Sequence, residues 1–158
     1  MKRLLWSLIL GLLMGKSFAA DLPLAINLQQ LGEQARKAHI PIVLVFTYQG
    51  IRSGEQLKEE ALLPELRSGE LDGFAFFREI VVNDNRKIID FYGEPTSSKV
   101  FQQLYNLTSF PVVIFVNADG EEIADPLLSG AYDYYAFYLK QQINQALKAL
   151  GSTKRIHQ

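Results

Sequence analysis

The sequence predicts an α/β fold, a mixed β-sheet with a parallel core and an antiparallel pair, combined with helices in one domain. Three observations lead to that prediction. Residues 40–46 and 112–116 are continuous apolar runs rich in β-branched side chains, as strands buried on both faces are. Helical patterns alternate with such strands, which implies a parallel core. Asn117-Ala118-Asp119-Gly120 followed by Glu121-Glu122-Ile123 reads as a hairpin, which adds an antiparallel pair.

Each element has its own signal. A first helix is expected over residues 26–38, with Ile26, Leu28, Leu31 and Ala35 on its apolar side and Gln, Glu, Arg and Lys between them. The strand 40–46 follows, then a helix over 53–63. A second strand is expected over 74–82, read as aromatic and β-branched throughout its length. Gly93, Pro95, Ser97 and Ser98 mark a loop that opens a short helix ending at Tyr105. After the strand 112–116 and its hairpin, the last helix has apolar residues at Tyr135, Leu139, Ile143, Ala146 and Leu150, with Gly151 as a stop signal. No internal repeat, low-complexity tract or linker divides the chain. It reads as one domain over residues 20–151, with a polar, frayed tail at 152–158.

The first 19 residues read as a signal peptide. Lys2 and Arg3 precede an apolar stretch from Leu4 to Met14, and Ser17-Phe18-Ala19 supplies the small residues a signal peptidase reads. The apolar stretch is too short for a membrane span, which needs roughly 20 residues. A bacterial protein of the periplasm or exterior is expected, with no stable membrane anchor after cleavage. Residues 20–158 then hold 13 basic and 17 acidic residues, a net charge of −4. That balance offers no basic footprint for nucleic acid. The hydrophobic share of 48% excludes wholesale disorder. There is no cysteine, so stability rests on packing rather than disulfides. The Asn106-Leu107-Thr108 sequon reads as chance in a bacterial protein.

Several landmarks, taken in order, resemble the thioredoxin superfamily over residues 28–147. Val43-Leu44-Val45-Phe46-Thr47-Tyr48-Gln49-Gly50 is similar to the strand and turn that present the redox motif, and Ile51-Arg52-Ser53-Gly54 stands where the motif would be. Ser109-Phe110-Pro111-Val112 resembles the segment with the family's cis-proline, which would be Pro111. Residues 117–123 and Leu127-Leu128-Ser129-Gly130 look like the terminal hairpin. The stretch 87–98 is similar to periplasmic thioredoxin-related proteins of the SoxW type. The resemblance implies a thioredoxin-like three-layer sandwich and a surface that receives extended peptide.

The departures govern what the resemblance implies for function. Both motif cysteines are absent at positions 51 and 54, and thiol–disulfide exchange requires attack by a thiolate. Position 45, where thioredoxins bury an acid, is Val. No oxidoreductase activity is expected, and no catalytic residue, metal set or cofactor motif is identified. The expected function is a redox-inactive module that binds protein or extended peptide, or acts as a chaperone. The alternatives are an accessory role in a periplasmic thiol–disulfide system and a non-redox enzyme using the same cleft.

The candidate partner-binding surface is Ile51, Arg52, Ser53, Gly54, Phe110 and Pro111. Ser53 and Gln56 have capping-box spacing. A nucleophilic Ser53 would need a base, and the two histidines, His39 and His157, lie far away in sequence. Arg52 reads either as a contact for a partner's carboxylate or as a solvated charge. The cis-proline groove is either a retained peptide site or simple inheritance of structure. Among Tyr132, Tyr134, Tyr135, Phe137 and Tyr138 one helix cannot bury every ring, so the cluster is either packing with wet hydroxyls or a docking patch. Glu59-Glu60 and Glu121-Glu122 read as solvated faces, and Asn83-Asp84-Asn85 lacks the rest of a calcium loop.

Overall fold

The computed structural model describes residues 22–130 and 132–157, so the expected signal peptide lies outside the described residues. Helix α1 spans Leu28–Ala38 and strand β1 Ile42–Thr47. Helix α2 (Arg52–Gln56) continues through a π-helical segment, Leu57–Leu62, into α3 (Leu63–Ser68). Strands β2 (Phe76–Val81), β3 (Lys87–Ile89) and β4 (Pro95–Ser97) lead to α4 (Ser98–Leu104). Strands β5 (Val112–Val116) and β6 (Glu122–Leu128), a short 3-10 turn and α5 (Tyr135–Ala149) complete the fold.

The main sheet has the order β2-β1-β5-β6. Only β1 and β2 are parallel, with Val45 opposite Glu79, while β5 runs antiparallel to β1 with Phe46 opposite Val112. Alternation of helix and strand thus misleads as to β5. Residues 82–111 join β2 to β5, a connection long enough to reach either end of the sheet, and β5 enters at the end where β2 left it, with Val112 opposite Phe46.

Strand alternation then builds two cores. Even residues of β1 and β5 (Ile42, Leu44, Phe46, Ile114) face α1 and α4, where Leu28, Leu31, Ala35 and Phe101 are buried. Odd residues (Val43, Val45, Val113, Phe115) face the π segment and α5, where Leu57, Leu62, Leu139 and Ile143 are buried. Both central strands are fully buried, as their unbroken apolar runs predict.

Four further expectations are corrected. Ile26 lies outside α1 and is 72% exposed, because Asn27 caps the helix by accepting from the Gln30 amide. The second helix runs past residue 63 to Ser68: the Leu63 amide donates five residues back to Lys58, and the widened turn accommodates Pro64, which has no amide to donate. Residues 87–97 hold a small hairpin rather than a loop alone, its turn organised by Asp90 Oδ1, which accepts from the Tyr92 and Glu94 amides. The tail is not frayed. Ile156 is buried in the core beside α5, and Asn144 bonds both its amide and its carbonyl.

On α5, Tyr135 is buried with a hydroxyl that has no hydrogen-bond partner among the described residues. Burial pushes its phenol well above the usual tyrosine value, with a smaller contribution from Tyr132. Replacing Tyr135 by phenylalanine removes an unsatisfied buried hydroxyl and keeps the ring. The variant is expected to be as stable as the parent or more so, by up to about 1 kcal/mol in urea denaturation. A loss beyond that would reveal a partner for the hydroxyl.

Candidate functional site

The turn that follows β1 and the loop that precedes β5 lie at the same end of the sheet, since Phe46 pairs with Val112. Gly50 takes φ +91, a conformation that favours glycine, and the chain turns there into α2. Asn83, two residues past the end of β2, pins this turn: its Oδ1 accepts from the Gln49 amide at 2.7 Å and its Nδ2 donates to the Gln49 carbonyl. The spacing in Asn83-Asp84-Asn85 gives no hint of that role, which depends on the parallel register of β1 and β2.

The capping box does not form. Ile51 occupies the cap position with extended backbone and no side-chain bond, and Ser53 lies inside the helix. Ser53 instead offers its carbonyl to the Tyr132 hydroxyl at 3.4 Å, tying the α2 turn to the residues before α5. Gly54 is buried against the Thr47 side chain, so it offers backbone packing rather than surface. Ile51 and Arg52 are exposed, and Arg52 has no ion-pair partner among the described residues.

Across the gap, the Phe110–Pro111 peptide is cis and Pro111 is buried. The half-buried Phe110 ring lies 6.0 Å from that of Tyr48, with the planes inclined by 39°. Tyr48 and Ile51 are each about 40% exposed. The end of the sheet therefore carries an apolar shelf of Tyr48, Ile51 and Phe110, with the cation Arg52 next to Ile51 in the chain. His39 caps α1 next to the start of β1, at the opposite end of the sheet, so it supplies no base to Ser53.

Sequence reasoning missed a second cluster here. Val45 faces the π segment, and so does its register partner Glu79, which is buried. The Thr47 hydroxyl donates to Glu79 Oε1 at 2.6 Å, and Lys58 Nζ lies 3.2 Å from the same oxygen and 3.0 Å from Glu55 Oε1. Burial works to lower the Lys58 pKa, but its hydrogen bond with Glu55 and the charge of Glu79 outweigh it and hold the ammonium above the usual lysine value. The cluster borders a cleft of about 660 Å³ that Tyr48, Gln49, Glu59 and Arg86 also line. The available signal was Glu79 itself, an acid beside Arg78 in a strand whose other residues are aromatic or β-branched. Of the other aromatics, Tyr135 is buried while Tyr134, Phe137 and Tyr138 are exposed, so the α5 cluster is split as helix geometry requires.

Comparison with known proteins agrees with this architecture. A DsbH oxidoreductase is similar at 19% identity, covering 87% of this chain and 92% of its own, with a TM-score of 0.56. Malassezia sympodialis thioredoxin covers 78% of this chain and 95% of its own at 11% identity and a TM-score of 0.53. A Schistosoma mansoni thioredoxin covers 78% and 99% at 14% identity and a TM-score of 0.50. At such identities the likeness is one of fold. No curated protein matches the chain. The thioredoxin-like domain family matches residues 28–146, most of the two cores and both sides of the candidate site, and the chain belongs to that family.

Proposed function

We propose that the protein is an exported, redox-inactive thioredoxin-like domain that binds extended polypeptide at the end of its sheet. The observation behind this reading is a contrast at one site. The chain has no cysteine to form a thiolate, yet the shelf of Tyr48, Ile51 and Phe110 stands open beside the cis peptide. Burial of apolar side chains on that shelf supplies affinity without covalent exchange, and the backbone next to Pro111 offers strand-like hydrogen bonds. Arg52 provides a charge-assisted contact for a carboxylate of the bound chain. The basic and apolar segment at residues 2–14 supports export.

An unfolded, S-carboxymethylated protein tests the reading, because it presents extended chain and no thiol. Binding followed by fluorescence anisotropy is expected to weaken about tenfold in Phe110→Ala, a loss of ~1.4 kcal/mol. In an insulin-reduction assay the rate should equal that of the thiol reductant alone. Unaltered binding by Phe110→Ala defeats the site, and turnover above background defeats the redox-inactive assignment.

A further inference from the structure

At the other end of the sheet, the described residues form a groove of about 330 Å³ between α4, the β3–β4 turn and the turn that follows β5. Its floor is aromatic: Phe91 and Phe101 are buried, and Tyr105 stacks on Phe101 with its hydroxyl donating to the Gly120 carbonyl at 2.7 Å. Its walls are unusually apolar for exposed side chains. Val100 and Leu104, one turn apart on α4, are 49% and 62% exposed, and Tyr92 is 74% exposed. Three of the large exposed apolar residues thus converge on one concavity, whereas scattered ones would need no explanation.

The rim is acidic. Asp90, Asp119, Glu121 and Glu122 line the groove, and no Lys or Arg among the described residues does. Arg36 pairs with Asp119, which leaves three carboxylates with no ion-pair partner among the described residues. The groove is also firmly built. Asp90 fixes the turn that presents Tyr92, and Gly120 takes φ +84 so close to Phe91 that an added Cβ would lie 2.5 Å from the ring. Apolar walls under a rim of one charge sign select an occupant of complementary character.

We propose that this groove docks a polypeptide segment in which apolar side chains are flanked by Lys or Arg. The volume admits one or two large side chains, and the three unpaired carboxylates receive the flanking cations. The site is separate from the cis-proline shelf, because the five residues of β5 lie between Pro111 and the turn at 117–120 and span ~17 Å. Neither proposal depends on the other.

The test is a titration of the 15N-labelled protein with the blocked peptide Lys-Leu-Phe-Leu-Lys, beside its charge-reversed control Glu-Leu-Phe-Leu-Glu. The basic peptide is expected to shift the amides of Tyr92, Val100, Leu104 and Gly120 and to bind about tenfold more tightly than the control. Its affinity should fall as salt is raised, since the carboxylates are exposed. Leu104→Lys, at an exposed position that leaves the core untouched, should abolish the shifts while the rest of the spectrum stays in place. Glu122→Lys should narrow the preference for the basic peptide. Equal binding of the two peptides, shifts confined to residues 48–52 and 110, or no shifts at all would each overturn the proposal.

Discussion

Replacing Gly32 by alanine is expected to destabilise the protein by about 2 kcal/mol, the reverse of what the same change does on an exposed helix. In the interior of a solvated helix, alanine is favoured over glycine by ~1 kcal/mol. Gly32 is buried in the middle of α1, and an added Cβ would lie 2.3 Å from the carbonyl oxygen of Ala118. That oxygen belongs to backbone, so no side chain can swing aside. The turn around it is held by Asn117, whose Oδ1 accepts from the Asp119 and Glu121 amides, and Arg36 of α1 pairs with Asp119 across the same contact. Helix and turn must therefore separate, which opens the packing of Leu28, Leu31 and Ala35 beneath them. Urea denaturation should show a lower midpoint with an unchanged slope. A midpoint at or above the parent's would mean that α1 can move away from the turn without cost.

Much of this fold is legible in the sequence, because strand burial leaves a local mark. The run 112–116 is β5 to the residue, and four of the five residues of the last helical stripe are buried. Ile51, Arg52, Phe110 and Pro111 stand at fixed offsets from those strands, so their placement at one end of the sheet is legible, whereas the burial of Gly54 and Pro111 and the ring contact of Tyr48 with Phe110 are not. What sequence cannot show is decided at a distance. The direction of β5, antiparallel to β1, leaves no mark in the composition of β5. The burial of Ile156 depends on an asparagine twelve residues earlier, which bonds its backbone on both sides. The capping box fails by a small shift of register. The spacing of Ser53 and Gln56 is right, but the helix begins at Arg52 and puts Ser53 inside it.

Glu79 illustrates both limits, and it leads to the largest effect expected here. With Val45 where related proteins place an acid, the buried charge stands instead on the neighbouring strand, in register with that valine. It is satisfied by the Thr47 hydroxyl and by Lys58, which the π segment presents to it. Lys58→Met keeps most of the apolar stem of the side chain and removes the cation, leaving Glu79 buried with the Thr47 hydroxyl as its remaining side-chain partner among the described residues. Removal of one member of a buried pair costs about 3 kcal/mol. Urea denaturation at pH 7 should show a deficit of that order. The effect of pH follows from the raised pKa of Lys58. A group whose folded pKa exceeds its unfolded one stabilises fully below the unfolded value, here 10.5, and loses that contribution as pH rises through the folded value. The gap between parent and variant should therefore stay constant from neutral pH to about pH 10 and narrow above it. Tyr105 and Tyr135, whose phenols burial pushes up, weaken both proteins together in that range, so the difference isolates Lys58. A gap absent at pH 7, or undiminished at strongly alkaline pH, would show that Lys58 serves as packing and that its charge does not hold Glu79 in the fold.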